Sequence, residues 1–361
     1  MSRIKSREQS HRHRFAFVVA SCGLLATSAF AGSARGEEPP APPAALPAAA
    51  AEAAVPAPAA TAVSTAGAST PATPATPAPP PPPYSLPWQL RPATAANVLR
   101  SDTAIALYDN GAGASGSTVA SMFLASYKVT PTLAPLVRIG VSQNNAPATG
   151  ADGTSFVNPI VGATYAKRID SLRWAAFLGA TIPIGSGGGN IPDPGAATAN
   201  AAGIRARSAM DNAMFAVNYF TAIAGGGIAY VDHNLTVQLE ATLLQLFRVR
   251  GGTAPSSTDS TRTNSTVGLH AGYFILPMLS VGGELRYQRW LSTPTQSMMG
   301  VISNFPGPNM DTLTMAIGPR AHFQVGKGFW LRPGIAYARG LDKPLTTASY
   351  NMVQVDVPFV F

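Results

Sequence analysis

From Tyr84 to Phe361 the chain alternates apolar and polar residues with a period of two. The last stretch shows it best: Val353, Val355, Val357, Phe359 and Phe361 alternate with Gln354, Asp356, Pro358 and Val360. Leu235, Val237, Leu239, Ala241 and Leu243 do the same against Thr236, Gln238, Glu240 and Thr242. Successive side chains of a strand point to opposite faces, so this pattern predicts strands with one apolar face. Twelve are predicted, at 101–109, 118–130, 133–142, 154–168, 172–185, 213–232, 235–250, 264–275, 278–290, 310–324, 328–340 and 346–361. Gly225-Gly226-Gly227 interrupts the sixth.

The connections sort these strands into a meander. Tight turns are expected at Thr130-Pro131-Thr132, Ile169-Asp170-Ser171, Asp232-His233-Asn234, Leu276-Pro277 and Val325-Gly326-Lys327. Between them lie longer loops at 110–117, 143–153, 186–212, 251–263 and 291–309. Alternating short and long connections, with strands longer than the usual five or six residues, predict an all-β fold. The expected form is a closed, antiparallel, up-and-down transmembrane β-barrel of about 12 strands. A soluble sandwich would also alternate, but Tyr165, Tyr273, Tyr287, Tyr337, Phe329 and Phe359 stand near strand ends, as in an interfacial belt. Pro159, Pro183, Pro319, Pro333 and Pro358 argue the other way, because each removes a ladder donor. Pro319, well inside its strand, is the hardest to place.

Composition adds the N-terminal organisation. Charged residues make up 12% of the 361, and 34 Gly with 33 Pro exclude a helical bundle. Basic residues, the apolar run Phe15–Phe30 and Ala29-Phe30-Ala31 predict a signal peptide at 1–31. Its removal takes away five basic residues and Glu8, so the formal charge falls from +8 to +4. With no dense basic stripe, no nucleic-acid partner is expected. Cys22, the single cysteine, is either removed with this segment or lipidated after Val19-Ala20-Ser21. Residues 32–83 are rich in Pro and Ala and end in Pro79–Pro83, which predicts a disordered, extended periplasmic linker before a barrel at 84–361.

The leader, the meander and the strand Tyr350–Phe361 resemble a Gram-negative outer-membrane β-barrel. The resemblance implies a place in the bacterial cell outer membrane, contact with its lipid, and reading of Val353, Val355, Val357, Phe359 and Phe361 by the barrel-assembly machinery. Asn158–Gly189, with Gly162, Tyr165 and Thr181-Ile182-Pro183-Ile184-Gly185, is similar to the meta-pathway phenol-degradation family of barrels. That family is thought to pass small organic molecules.

With the apolar face on lipid, the polar face lines the lumen. Candidate lining residues are Arg138, Arg173, Glu240, His270, Glu284, Arg286, Gln288, Arg320, His322, Arg332, Gln354 and Asp356. Arg286 and Glu284 share a face and are expected opposite Arg320. Five arginines against three carboxylates bias a water-filled path toward anionic or polar solutes; the same charges, paired, would instead prop the wall. The leading expectation is passage of a small-molecule solute, with the loop 186–212 gating or recruiting it and Ser186–Asn190 a flexible outer loop. A rival is a structural barrel tethered by its arm to peptidoglycan or a periplasmic protein. A second is a lipid-modifying enzyme using His270. No His has a Ser two positions away on its own face, and no metal-ligating or GxSxG motif occurs, so no catalytic residue, cofactor or metal is assigned.

Overall fold

The structure is a computed structural model, and it describes residues 84–109, 114–147, 150–251, 260–292 and 311–361. The leader, Cys22 and the Pro/Ala linker lie outside them. One antiparallel sheet is built from β1 (Val98–Asp109), β2 (Ser115–Ser126), β3 (Leu133–Asn145), β4 (Gly153–Phe156), β5 (Ile160–Ile169), β6 (Leu172–Thr181), β7 (Tyr219–Asp232), β8 (Leu235–Arg248), β9 (Thr261–Leu276), β10 (Leu279–Trp290), β11 (Thr312–Ala321), β12 (Phe323–Gly326), β13 (Phe329–Leu331), β14 (Gly334–Gly340) and β15 (Asn351–Val360). Pairing runs in the order β1-β2-β3-β5-β6-β7-β8-β9-β10-β11-β14-β15, and β15 returns to β1, from Val98↔Val360 to Leu107↔Asn351. β4 continues into β5, β11 into β12 and β13 into β14. The wall is therefore a closed barrel of twelve strands.

Burial follows the period of two. Along β8 the apolar residues Leu235, Val237, Leu239 and Leu243 are exposed, whereas Thr236, Gln238, Glu240 and Thr242 are buried. Val267 and Leu269 on β9, Leu285 on β10 and Ile317 on β11 are likewise exposed. Apolar outside, polar inside and no free edge is the design of a transmembrane barrel of the outer-membrane type, because lipid offers backbone groups no partners. Tyr165 tilts against Trp174 with ring centroids 5.4 Å apart on this outer face. Phe329, Phe359 and Phe361 cluster beside the last strand.

The tight turns come together at one end, where Asp170 and His233 take positive φ. The prolines coincide with gaps in the ladder. Pro159 separates β4 from β5, and Pro333 separates β13 from β14. Pro319 pairs with Val281 of β10, while toward β14 the ladder skips from Ile317↔Tyr337 to Arg320↔Gly334. Its missing N–H thus falls where that ladder is already open. Pro358 sits opposite Arg100, between the residues of β15 that pair with β14 and those that pair with β13.

Three expectations are corrected at the long-loop end. The sixth strand starts at Tyr219 rather than 213, because Asn212–Phe215 forms a helical turn, α2. The loop at 186–212 carries a helix, α1 (Pro194–Ala206), capped by Asp193 accepting from the Ala196 N–H at 3.0 Å. Ala196, Ala199, Ala202 and Ala206 recur at helical spacing and are buried. Ser142 of β3 donates to the Ala199 carbonyl at 2.8 Å, so the small-residue face lies on the inner wall. Ser186–Asn190 is pinned instead of loose: the Ser186 hydroxyl receives the Phe156 N–H at 2.8 Å, and its carbonyl receives the Asn200 amide at 2.8 Å.

Candidate functional site: the occupied lumen

Two segments enter the barrel from opposite ends. Tyr84–Asn97, directly before β1, enters from the tight-turn end, and Tyr84–Leu90 are all buried. The wall holds it largely through its backbone. The Ser85 N–H donates to Thr236 at 3.0 Å, and the Gln89 N–H to Glu284 at 3.2 Å. The Trp88 N–H also goes to Glu284. The Arg91 N–H and guanidinium both reach Glu240, at 2.5 and 2.7 Å, and Gln238 donates to the Arg91 carbonyl at 2.7 Å. Arg100 donates to the Pro87 carbonyl at 3.1 Å and to that of Trp88. Tyr84 closes the set by donating its hydroxyl to Gln238. Burial without water pushes the Tyr84 phenol well above its usual pKa, so it stays a donor.

The wall also leaves room for this segment. A Cβ on Gly268 would lie 2.2 Å from Leu90, and one on Gly334 would lie 2.5 Å from the Trp88 ring. Both glycines act here as sockets for large side chains. The Arg320 guanidinium stacks over Trp88 at 4.4 Å.

The second segment, 186–216, is held by its own charges. Arg207 forms a double bond set to Asp102 of β1 at 2.6 Å each and a third to Asp211 at 2.8 Å. Arg138 of β3 reaches Asp211 at 2.5 Å and Asp102 at 3.4 Å. Two arginines and two aspartates close a neutral network in which Arg207 is wholly buried. Burial opposes ionisation at both Arg207 and Asp211. The partners outweigh it, raising the guanidinium pKa and lowering that of the carboxyl. Arg286 stands between the segments: it bonds Glu284 at 2.7 Å, Gln354 at 2.9 Å and the Ser208 hydroxyl at 3.4 Å.

The predicted lining residues are thus on the inner wall. Arg138, Glu240, Glu284, Arg286, Arg320 and Asp356 all join ion pairs. The expectation that Arg320 faces the Arg286/Glu284 pair is corrected. Arg320 pairs in register with Ser280 and turns to Asp356 at 2.5 Å, where Arg100 also binds at 2.7 Å. Gln288 and Gln354 are buried beside them. His270 has Ser85 at 3.4 Å and Glu284 at 3.8 Å, and His322 has Ser280 at 2.8 Å. Arg173 lies over the Tyr84 ring at 4.8 Å and Arg332 over Trp330 at 5.5 Å. Sequence reasoning missed Arg91, Arg100, Asp102, Arg207 and Asp211. Arg100 lies on β1, which runs back to Val98, three residues before the predicted start, through a stretch where apolar and polar residues do not alternate. Among the described residues no three His, Cys, Asp or Glu form a metal-holding group.

Beside the first segment, at the tight-turn end, is a cavity with ≈ 100 Å³ of room for water centres. Leu86, Pro92 and Ala96 of the segment face Leu124, Leu136 and Phe177 of the wall across it, with Arg91, Arg100 and Arg138 also on its lining.

No protein-family profile and no curated protein matches this sequence. Solved structures with a similar chain course include the COG4313 outer membrane channel from Pseudomonas putida F1, at 12% identity and TM-score 0.46, covering 76% of this chain and 98% of that one. The NanC porin follows at 10% identity and TM-score 0.43, covering 72% and 98%. The KdgM porin in complex with disordered oligogalacturonate has 11% identity and TM-score 0.40, covering 73% and 99%.

Proposed function

We propose that this chain is a bacterial outer-membrane barrel that passes small solutes and that Tyr84–Asn97 is the removable element closing its path. The observation that carries this reading is how that segment is held. Most of its hydrogen bonds to the wall are made by backbone groups, whose N–H donate to Thr236, Glu240 and Glu284 and whose carbonyls accept from Gln238 and Arg100; water can replace these partners. Removing it would leave a charged, wettable wall rather than an apolar hole. Arginines outnumber carboxylates there, which favours anionic or polar solutes. The likeness of Asn158–Gly189 to phenol-degradation barrels supports small organic solutes.

The non-enzymatic reading is supported by the histidines: His270 and His322 are buried on the inner face, turned away from lipid. In this reading 1–31 is the signal peptide, 32–83 a periplasmic linker able to reach peptidoglycan or a periplasmic protein, and Val353, Val355, Val357, Phe359 and Phe361 the assembly signal. The test is single-channel conductance of the full chain in a planar bilayer. The native chain should be mostly closed. Gly268→Leu, which fills the Leu90 socket, and Glu284→Gln should open in discrete, anion-preferring steps. Silence from both variants, each still heat-modifiable and folded, overturns solute passage in favour of a structural barrel.

A further inference from the structure

The cavity at the tight-turn end has an uncommon construction: one side belongs to the inserted segment and the other to the barrel wall. It exists only while Tyr84–Asn97 is seated. Its surface is mainly hydrocarbon, from Leu86, Pro92, Leu124, Leu136 and Phe177. The polar groups on it are chiefly cationic. Arg91, Arg100 and Arg138 keep 29%, 11% and 15% of their side chains exposed, whereas their partners Glu240, Asp356 and Asp211 keep 7%, 1% and 7%. The carboxylates therefore stand behind the guanidiniums, and no carboxylate lines the space. A guanidinium already paired on one edge retains donors on the other. At roughly 10–15 Å³ per water-sized group, the volume suits a molecule the size of hexanoate.

We propose that this cavity binds a small amphipathic monoanion, a carboxylate on a short hydrocarbon body, and that the bound molecule holds Tyr84–Asn97 in the lumen. The hydrocarbon body removes apolar wall from water, and the carboxylate is drawn to the positive charge of the three arginines on the lining. A ligand that touches both segment and wall binds the seated state alone, so it stabilises that state by mass action. It is a regulator of closure rather than a passenger. The second half of the proposal rests on the reading of this segment as removable.

The experiment uses the full chain in phospholipid nanodiscs, with empty nanodiscs as the blank. Saturation-transfer NMR should show hexanoate binding at least tenfold more tightly than hexylammonium, which has the same tail and the opposite charge. Leu136→Trp, which fills the cavity, should weaken hexanoate binding at least tenfold. Leu124→Trp serves as the second variant, should the first not fold. Hydrogen exchange at the Trp88, Gln89 and Arg91 amides should slow at least tenfold under saturating hexanoate. Equal binding of both probes, or binding unchanged in folded cavity-filling variants, overturns the site. Binding without slower exchange overturns the holding role. Both readouts are independent of conductance, so their failure is separate from failure of solute passage.

Discussion

The two segments inside the barrel fill it by different chemistry. Segment 186–216 presents its own side-chain charges, Arg207 and Asp211, to Asp102 and Arg138, and adds a capped helix with an alanine face. Tyr84–Asn97 presents mostly backbone N–H and C=O groups to wall side chains. The first is a buried ion network, which is costly to break because any deletion strands a charge. The second is mostly a set of backbone groups that find equivalent partners in water when they leave, with one ion pair, Arg91 to Glu240, among them. One insert behaves as part of the wall, the other as an occupant of it.

That contrast can be broken most forcefully at Arg207. Arg207→Ala leaves Asp102 and Asp211 short of a partner in a buried site, and should destabilise the barrel by about 3–5 kcal/mol. Loss of heat-modifiable folding at lower urea would show it; an unchanged midpoint would mean that the network is dispensable. Glu284→Gln comes next. It weakens the Trp88 and Gln89 N–H contacts and leaves Arg286 without its charge partner, at about 1.5–3 kcal/mol for hydrogen bonds to a charged group. Its expected signature is faster exchange of 84–97, with a smaller effect on 186–216 through the Arg286–Ser208 contact, and equal effects on both would merge the two inserts into one unit.

A pH titration sharpens the difference further. Asp211 is held below the ordinary aspartate range by Arg138 and Arg207, with Asp102 opposing. Its contribution is therefore complete above the unfolded pKa, near 4, and is lost as pH falls through the depressed folded value. Exchange protection of 186–216 should fall in acid below about pH 4, and Asp211→Asn should flatten that dependence. The smallest effect is expected from Thr236→Val. It removes one acceptor, that of the Ser85 N–H, and should loosen the first segment by about 1 kcal/mol, read as exchange at that amide.

The wall was legible because lipid outside and charge inside impose a period of two, repeated over long strands with alternately short and long connections. Leu235–Leu243 carries it without interruption, and Val353–Phe361 carries it up to Pro358 and Val360. The prolines looked like contradictions because the sequence cannot show which neighbour a missing donor would have faced; Pro319 fits because its ladder to β14 is open there. The lining residues could be named, but their partners could not. Arg320 meets Asp356 across two strand boundaries, and Arg138 meets Asp211 from a loop that folds back inside. The seated segment left the weakest trace of all. Bonds made by backbone groups have no residue signature, and the socket role of Gly268 and Gly334 shows only once Leu90 and Trp88 are seen against them.

The position of that segment in the chain sets an order of events. Ser85 finds Thr236 151 residues later, and Trp88 finds Glu284 196 residues later. The part of the lumen synthesised first thus has no seat until β8, β9 and β10 stand side by side. β1, which follows it directly, likewise waits for β15 to close the ring. The earliest piece of the lumen cannot be fitted before those strands pair, and until then its apolar side chains, Leu86, Trp88 and Leu90, lack this cover. An interval in assembly follows in which the mouth of the barrel is unblocked and a partner for those side chains could bind before the segment is first seated.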